Sequence, residues 1–348
     1  MTKTAALLLA GGLALSACAS DEDGGDGGSG GASDGDLKVG VAYDTGGRGD
    51  KSFNDSAIAG VEAAVQELGG DVEEDIEELS PNDDGSNREE LLTQLAENGY
   101  NPVIAVGFAY GDIIADIASD YPETDFAIVD TSVEDMGEDN LTGLVFAEEE
   151  GSFLAGVAAA SKSVTGHIGF VGGQESPLIK KFEAGFKAGA KAVDPDIIVD
   201  TTYLSPAGDP SGFGDPEGGK VAAQSMYQSG ADIVFHAAGG SGEGVFEAAV
   251  EAGQRAIGVD SDQYLSASPE QQAVIMTSML KRVDNAVEAY ITDVAEGDVE
   301  GGTDILNDLS TEGVGLSESG GYIDDIQDVL EDFRQQIIDG DIEVPTTP

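Results

Sequence analysis

A short stretch near residue 50 combines the residue types that a binding site for a small organic molecule needs. An apolar run ends in Asp44, a loop with three glycines follows, and the first turn of a predicted helix presents Lys51, Phe53 and Asn54. Glycines let the backbone approach a ligand closely, and an aromatic ring beside an amide offers a stacking face with hydrogen-bonding groups next to it. The same pattern also fits an ordinary strand-to-helix turn with Phe53 in the core.

Charged side chains stand at the ends of other predicted strands. Asp130 and Asp260 end two similar apolar runs, and Lys281 directly follows a predicted strand at 274–280. In open α/β sheets, ligands bind outside the carboxyl ends of the strands. The chain is so poor in basic residues that each lysine is a candidate for a specific role. We therefore expect Lys51 or Lys281 to donate to a ligand hydroxyl, or to pair with Asp130 or Asp260.

The other chemically active residues argue against catalysis. Cys18 is the only cysteine and lies near the N-terminus, and the two histidines, His167 and His236, stand at strand boundaries where a structural role is predicted. Residues 238–244 form a glycine-rich turn, but they lack the spacing of dinucleotide-binding or phosphate-binding loops. Their amides are instead predicted to face the cleft. We predict a binding protein that is not an enzyme and has no cofactor and no metal.

The pattern of strands and helices explains how these residues are brought together. Predicted strands and helices alternate from residue 37, and the same alternation begins again at residue 167. Such alternation is typical of parallel sheets with helices on both faces. The 348 residues suffice for two lobes of about 150 residues each. The sequence therefore predicts an α/β protein with two similar lobes.

The charge of the chain is extreme. It has 68 Asp and Glu residues against 15 Lys and Arg residues, which gives a formal net charge of −53. Such a surface repels nucleic acids and anionic lipids, so we predict no nucleic-acid partner. Concentrated salt would screen the repulsion between the acidic side chains of the protein. Our hypothesis is a halophilic protein, adapted to a very salty medium.

The N-terminus has the pattern of an export signal. Lys3 precedes a short apolar stretch at 5–15, and Leu-Ser-Ala-Cys at 15–18 resembles a prokaryotic lipobox. We expect residues 1–17 to be a lipoprotein signal peptide, Cys18 to be lipidated, and residues 18–36 to be a flexible tether rich in Gly and Asp. The predicted location is the extracytoplasmic face of the cell membrane, with a lipid anchor only.

Several motifs in fixed order resemble the BMP family of lipoprotein substrate-binding proteins, its purine-nucleoside-binding members in particular. They are Gly-Asp-Lys-Ser-Phe-Asn-Asp at 49–55, Gly-Phe-Val-Gly-Gly at 169–173, Phe-Glu-Ala-Gly-Phe-Lys-Ala-Gly at 182–189, Ala-Ala-Gly-Gly-Ser-Gly-Glu-Gly-Val at 237–245 and Ile-Gly-Val-Asp-Ser-Asp-Gln at 257–263. The resemblance implies a type I periplasmic-binding-protein fold, with two Rossmann-like lobes on a three-segment hinge. It also implies a partner ABC permease and its ATPase, and we expect the protein to be a monomer. The expected lobes are 37–160 with 283–312, and 161–282 with 313–340.

The resemblance implies how a purine nucleoside would be held. Phe53 and Phe213 correspond to the two walls of a base-stacking sandwich, and Asp130, with Asn54 beside it, to the acceptor for the purine edge. The other implied ligand-binding residues, which hold the ribose or line the same cleft, are Asp44, Gly240, Asp260 and Lys281. Phe108 is either a further wall or a core residue. A phosphate would enter an acid-rich cleft, so the free nucleoside (adenosine, guanosine or inosine) is expected.

Other functions remain open at this point. A type I fold also suits a sugar or another small polar ligand, and fold alone does not choose between them. A surface receptor that reports ligand occupancy to a signalling partner is a further alternative. A hydrolase or nucleosidase is the enzymatic alternative, although the sequence offers no nucleophile or metal cluster for it.

Overall fold

The computed structural model describes residues 37–348. The predicted signal peptide, the predicted lipidation site Cys18 and the predicted tether lie outside the described residues. Every helix in the described part of the chain is too short or too polar to span a lipid bilayer.

Strands and helices alternate along the chain, as the sequence predicts. Up to residue 146 the elements are β1 (Val39–Ala42), α1 (Phe53–Glu67), β2 (Ile76–Leu79), α2 (Arg88–Glu97), β3 (Val103–Ala105), α3 (Ile114–Asp120), β4 (Phe126–Val129) and β5 (Leu141–Phe146). They continue with α4 (Glu148–Lys162), β6 (His167–Gln174), α5 (Pro177–Val193), β7 (Ile198–Ser205), α6 (Pro216–Ser229), β8 (Ile233–Ala237), α7 (Gly242–Ala252) and β9 (Arg255–Asp260). The last elements are α8 (Gln263–Ser266), α9 (Pro269–Gln272), β10 (Ile275–Lys281), α10 (Val283–Glu296), β11 (Asp304–Asn307), β12 (Val314–Leu316) and α11 (Gln327–Ile338).

The strands form two six-stranded sheets with matching order. The first sheet runs β11-β5-β4-β3-β1-β2 and the second β12-β10-β9-β8-β6-β7. Neighbouring strands are parallel, except that β12 runs antiparallel to β10. Central strands such as β4 are buried along their whole length, which is why they read as continuous apolar runs. These two sheets define the first and the second lobe.

The chain crosses between the lobes three times. It leaves β5 of the first sheet for β6 of the second, returns after β10 to build β11, and crosses again to build β12. The bounds given above for the two lobes stay a prediction. Helix α4 packs on α5, β10 and β12, so we propose that the first crossing lies near residue 147.

Helices α4 and α5 pack unusually closely because glycines line their contact. A Cβ atom at Gly185 would lie 2.0 Å from the Glu149 carbonyl oxygen, and one at Gly189 would lie 1.9 Å from that of Phe153. Helix α5 begins at Pro177, where the Ser176 side chain accepts a hydrogen bond from the Ile179 amide. This close contact holds α4 against α5.

Candidate ligand-binding site

A cleft lies between the carboxyl ends of the strands of both sheets. Its polar lining residues are Asp44, Thr45, Asp50, Asn54, Asp130, Asp260 and Lys281, and its aromatic ones are Phe53, Phe108, Phe182 and Phe213. The space free of protein atoms is about 520 Å³, counting space that opens to solvent, and water centres reach about 50 Å³ of it. The cleft is thus narrow and mixed in character, as small-molecule sites are.

Asp130 and Asp260 occupy equivalent places in the two lobes. Asp130 directly follows β4 and Asp260 ends β9, each the third strand of its sheet. Both residues adopt left-handed backbone conformations, with φ of +69° and +64°. Such conformations are uncommon for non-glycine residues and concentrate at functional sites. The turn that follows each strand therefore directs a carboxylate from each lobe toward the same cleft.

Lys281 joins the lobes through a buried ion pair. Its Nζ lies 2.5 Å from Asp130 Oδ1. Of the two partners expected from the sequence, Asp130 and Asp260, Lys281 therefore pairs with Asp130. Burial alone would lower the pKa of Lys281, but the nearby carboxylates outweigh it and hold that pKa above its ordinary value. The Nζ also lies 5.1 Å from the centre of the Phe53 ring, close enough for a cation–π contact. Lys281 is therefore a permanent positive charge in the cleft.

Sequence reasoning missed Glu148, the second carboxylate at Lys281. Glu148 Oε1 lies 3.3 Å from Lys281 Nζ, and its Oε2 lies 3.0 Å from Lys181 Nζ. Phe146 and Phe182 complete the enclosure, with ring centres 5.1 Å and 5.7 Å from Lys281 Nζ. Three consecutive acids at 148–150 look like a solvated helix start, and only the fold shows that the first of them is buried.

The glycine loop is held in place by Asp50, which the sequence analysis did not single out. The Asp50 carboxylate accepts hydrogen bonds from the amides of Ser52, Asn54 and Asp55 and from Asn54 Nδ2. Burial raises the pKa of Asp50 to about 6. Asn54 Oδ1 accepts from the Asp44 amide at 3.0 Å. Most of the Asn54 amide is therefore engaged within the loop, which fixes its orientation and limits its capacity for a ligand.

Asp44 and Asp260 are both held by hydrogen bonds in the cleft, and Asp44 Oδ1 accepts one from the Thr45 amide at 2.7 Å. Arg88 donates to Asp44 Oδ1 at 3.2 Å, and the Ser52 hydroxyl donates to Asp260 Oδ2 at 2.5 Å. Burial raises the pKa of both carboxyls above their ordinary value, while Arg88 opposes this shift at Asp44 and Lys281 opposes it at Asp260. Arg88 was not foreseen, because it lies far from the loop in sequence.

Lys51 lies between the lobes but its ammonium points away from the cleft. Its Nζ is 3.5 Å from Glu243. Its carbonyl oxygen accepts hydrogen bonds from Ser261 Oγ at 3.0 Å and Gln263 Nε2 at 3.1 Å. We call this contact of Lys51 with Ser261, Gln263 and Glu243 the Lys51 clasp. The structure thus gives Lys51 a bridging position outside the lining of the cleft.

The aromatic candidates and the glycine turn lie where the sequence suggests. Phe53 and Phe213 are partly buried and line the cleft from opposite lobes, and Phe108 lines it as well. The Phe213 ring rests on Gly173, where a Cβ would lie 2.4 Å from its Cδ1. In the glycine turn, Gly239 lines the cleft, whereas Gly240 lies just behind it, against the Phe213 backbone. Their roles in binding stay predictions.

The two histidines lie away from the cleft. His167 Nε2 is 2.9 Å from Asp200 Oδ2 at the start of β6. His236 is fully buried against Phe246, and burial lowers its pKa to about 4. Within residues 37–348, no group of three or more His, Cys, Asp or Glu side chains has the arrangement of a metal site.

Comparison with known proteins shows the family. Residues 37–348 match the Bmp family, described as PnrA-like ABC transporter substrate-binding proteins. The chain belongs to this family. It is therefore a substrate-binding protein of an ABC transporter, and the resemblance seen in the sequence motifs is confirmed.

Individual relatives agree with the family. A CD4+ T-cell-stimulating antigen of Listeria innocua serovar 6a is 37% identical, over 98% of this chain and 97% of that protein. The ABC transporter nucleoside-binding protein BmpA of Lactococcus lactis subsp. cremoris is 34% identical, over 89% of this chain and 90% of that protein. A solved solute-binding protein of an ABC transporter system from Aeropyrum pernix K1 has a TM-score of 0.78 at 28% identity, over 89% of this chain and 93% of its own. These similarities and the two parallel sheets confirm the type I periplasmic-binding-protein fold.

Proposed function

We propose that this Bmp-family protein captures purine nucleosides in the cleft between its lobes and delivers them to an ABC permease and its ATPase. The observation that carries the proposal is that one aromatic ring from each lobe, Phe53 and Phe213, lines the cleft in which Asp130, Asp260 and Lys281 converge. The Lactococcus lactis relative named as a nucleoside-binding protein supports the same ligand class.

The aromatic rings suit the base. A purine is flat and has two π faces, and each face gains about 1–3 kcal/mol when it stacks on an aromatic side chain. Phe53 begins α1 in the first lobe, while Phe213 ends a short 3-10 turn in the second. The lobes are in contact across the cleft, so a base between the two rings would be covered on both faces. A sugar has no such faces, which is why the aromatic pair favours a nucleoside.

The charged groups suit the polar edges of the ligand. An ammonium has three N–H donors, and the Lys281 ammonium lies within ion-pair distance of Asp130 and Glu148. In this proposal one of its N–H groups donates to a ribose hydroxyl. One oxygen of the Asp260 carboxylate, Oδ2, accepts a hydrogen bond from the Ser52 hydroxyl. In this proposal its other oxygen accepts from a second ribose hydroxyl. In this assignment Asp130 accepts from the purine edge.

The charge of the cleft selects against nucleotides. Four carboxylates line it (Asp44, Asp50, Asp130 and Asp260), and Lys281 is the only basic residue in its lining. A phosphate group would enter this negative field at a large electrostatic cost. We therefore expect the protein to bind free nucleosides and to reject their 5′-monophosphates.

Calorimetric titration tests the ligand class. The full-length chain in detergent and multimolar salt is titrated with adenosine, guanosine, inosine, uridine, inosine 5′-monophosphate and ribose. The proposal predicts binding of the purine nucleosides, and much weaker binding of ribose and the monophosphate. Binding of ribose alone, or of none of these compounds, would overturn it. Hydrolysis of inosine during the titration would point to a nucleosidase instead.

We also propose that the protein is a monomer held by a lipid at Cys18 on the extracytoplasmic face of the cell membrane. The lipobox-like Leu-Ser-Ala-Cys at 15–18 supports the anchor, and the importer family supports the location. Cys18→Ala should release the protein from the membrane fraction into the medium. Deletion of the gene should abolish nucleoside uptake if the role is transport, whereas a receptor would leave uptake intact.

A further inference from the structure

Two of the chain crossings meet at one buried cluster of charges. Lys281 is the last residue of β10, just before the chain returns to the first lobe, and Glu148 is the first residue of α4, just after the chain has left it. Asp130 joins them from the end of β4. These three side chains are 1–3% exposed. Movement of the hinge must therefore carry these charges with it.

The cluster continues from the cleft toward solvent. Lys281 Nζ contacts Asp130 Oδ1 at 2.5 Å and Glu148 Oε1 at 3.3 Å, and Glu148 Oε2 contacts Lys181 Nζ at 3.0 Å. Lys181 lies at the solvent-facing end of the cluster, and its side chain is 33% exposed. A second cavity of about 760 Å³, counting space that opens to solvent, adjoins this end, and its lining includes Asp130, Glu148 and Lys181. The four side chains thus alternate in sign, from Asp130 in the cleft to Lys181 at the surface.

Charge balance shows what Glu148 contributes. Buried charges are tolerated only when they are paired and hydrogen-bonded. Without Glu148, the Lys281 ammonium would face Asp130 as its one close partner and would be drawn entirely toward it. With Glu148 also within ion-pair distance, the ammonium is shared between two carboxylates, and Asp130 Oδ2 is available for another donor. Lys181 then neutralises the additional negative charge.

We propose that Glu148 is a positioning residue for ligand capture, which holds the Lys281 ammonium between the lobes so that Lys281 and Asp130 can both serve the ligand. The inference rests on the proposed nucleoside site, because Lys281 and Asp130 are its polar groups. Glu148 itself does not line the cleft. Its effect on binding passes through Lys281.

The test replaces Glu148 by glutamine in the full-length chain, which keeps the size of the side chain and removes its charge. Loss of one member of a buried charge pair should weaken inosine binding about tenfold or more. Calorimetry between pH 5.5 and 8.5 supplies a second readout. The groups around Asp130 are Lys281 from β10, Glu148 from α4, Asp260 from β9, Lys181 from α5 and Asp304 from β11. Glu148→Gln removes one like charge, so the pH at which binding is half-lost should fall.

Glu183→Gln is the matched control. Glu183 is also buried and also pairs with a lysine, Lys187, but it lies on α5 outside the cleft. Glu183→Gln should lower the melting temperature without changing the affinity for inosine or its pH profile. If Glu148→Gln does not fold, Lys181→Met removes the surface end of the cluster and should weaken binding severalfold.

The outcomes separate the inference from the proposed function. Weaker binding by Glu148→Gln, with a lower pH midpoint and an unchanged Glu183→Gln, supports the role of Glu148. If the wild type binds inosine and Glu148→Gln has the same affinity or the same pH midpoint as the wild type, the inference is overturned. The proposed nucleoside site then still stands. In the Lys181→Met variant, unchanged affinity would overturn it likewise. Failure of the wild type to bind any nucleoside would overturn both.

Discussion

Phe53 contributes to the cleft with its ring alone, so its removal measures stacking directly. The ring is partly buried at the start of α1 and lines the cleft next to Lys281. Phe53→Ala should weaken inosine binding by about 1–3 kcal/mol, since one base–aromatic contact is lost. Titration calorimetry gives the affinity, and thermal unfolding gives the stability.

Phe108→Ala is the companion variant at this scale. Phe108 lines the cleft, but the sequence left its role open between a wall and a core residue. Comparison of the two variants shows which ring the base contacts. A Phe53→Ala protein with a lower melting temperature and wild-type affinity would mean that Phe53 serves the core only.

Asp130 should make binding and stability respond to pH in opposite directions. Burial raises its pKa to about 7, with Glu148 adding to the shift and Lys281 opposing it. A protonated Asp130 loses acceptor strength, so inosine binding should weaken as the pH falls through 7. The unfolded chain has the ordinary lower pKa, so the folded state binds the proton more tightly. The contribution of Asp130 to the free energy of unfolding is therefore fully present at acidic pH and is lost as the pH rises through 7.

The comparison that isolates this effect is between the wild type and Asp130→Asn. Calorimetry from pH 5.5 to 8.5 should show a slope for the wild type that Asp130→Asn lacks. Urea unfolding over the same range should show the difference in stability between the two proteins changing in the opposite sense. Parallel profiles in both experiments would assign the titration to another group, such as Asp50.

At the scale of elements, the Lys51 clasp ties the loop before α1 to the segment that follows β9. Ser261 Oγ donates to the Lys51 carbonyl oxygen across the lobes, and such a bond contributes about 0.5–1.5 kcal/mol. Ser261→Ala should therefore populate open forms and weaken inosine binding about two- to tenfold, because affinity scales with the closed fraction. Small-angle scattering should show a larger radius of gyration at low ligand concentration.

Ser266→Ala is the control for the clasp. Ser266 Oγ bonds only within its own short helix, to the Gln263 carbonyl oxygen, so its loss should affect neither closure nor affinity. An equal effect of both substitutions would mean that the whole segment is destabilised. Unchanged affinity in Ser261→Ala would show that closure does not depend on this bond.

The sequence predicts buried or strongly periodic elements well and exposed ones poorly. The helical period at 177–193 and the apolar runs at 126–129 and 141–146 predict α5, β4 and β5, and the structure has the same bounds. Strand β11 was missed, since its residues at 304–307 are exposed or partly buried and lie at the sheet edge. The sequence predicts a helix that follows residues 107–110 and ends near Ser119; in the structure residues Phe108–Tyr110 form a 3-10 turn and the helix is α3, Ile114–Asp120.

The residues of the site were also predicted only in part from the sequence. Residues next to glycine turns or strand ends, such as Phe53, Asp130 and Asp260, were predicted to share the cleft and do so. Arg88, Glu148 and Asp50 were missed because their contacts depend on packing between distant segments or on the conformation of a loop. Lys51 was expected in the cleft because lysines are rare in this chain. The rarity of a residue type does not predict where its side chain points.

The whole molecule is dominated by its charge of −53. Only a few acids in the described part of the chain are paired with basic groups, since lysines and arginines are scarce, so repulsion between the remaining acids opposes the compact state. The Debye length falls from about 10 Å at 0.1 M to about 3 Å at 1 M salt. The melting temperature should therefore rise steeply between 0.1 M and 3 M potassium chloride, as measured by circular dichroism.

Chloride and sulfate at equal ionic strength separate two causes of this rise. Screening depends on ionic strength, whereas exclusion of the anion from apolar surface depends on which anion is used. Equal melting temperatures in the two salts would assign the stabilisation to screening. A melting temperature that does not change with salt would contradict the halophilic hypothesis.

The matched strand ends of the two lobes set the polarity of the cleft. Asp130 and Asp260 follow or end the third strand of their respective sheets, so a ligand meets two similar acceptors, which by themselves would allow two orientations. The neighbouring strands break this similarity, because β5 ends in Phe146 where β10 ends in Lys281. Phe146 packs against Lys281 outside the lining of the cleft, so these strand ends add one cation and no second acceptor to it. This single cation makes the surroundings of the two acceptors unequal, and we therefore expect a ligand to prefer one of the two orientations.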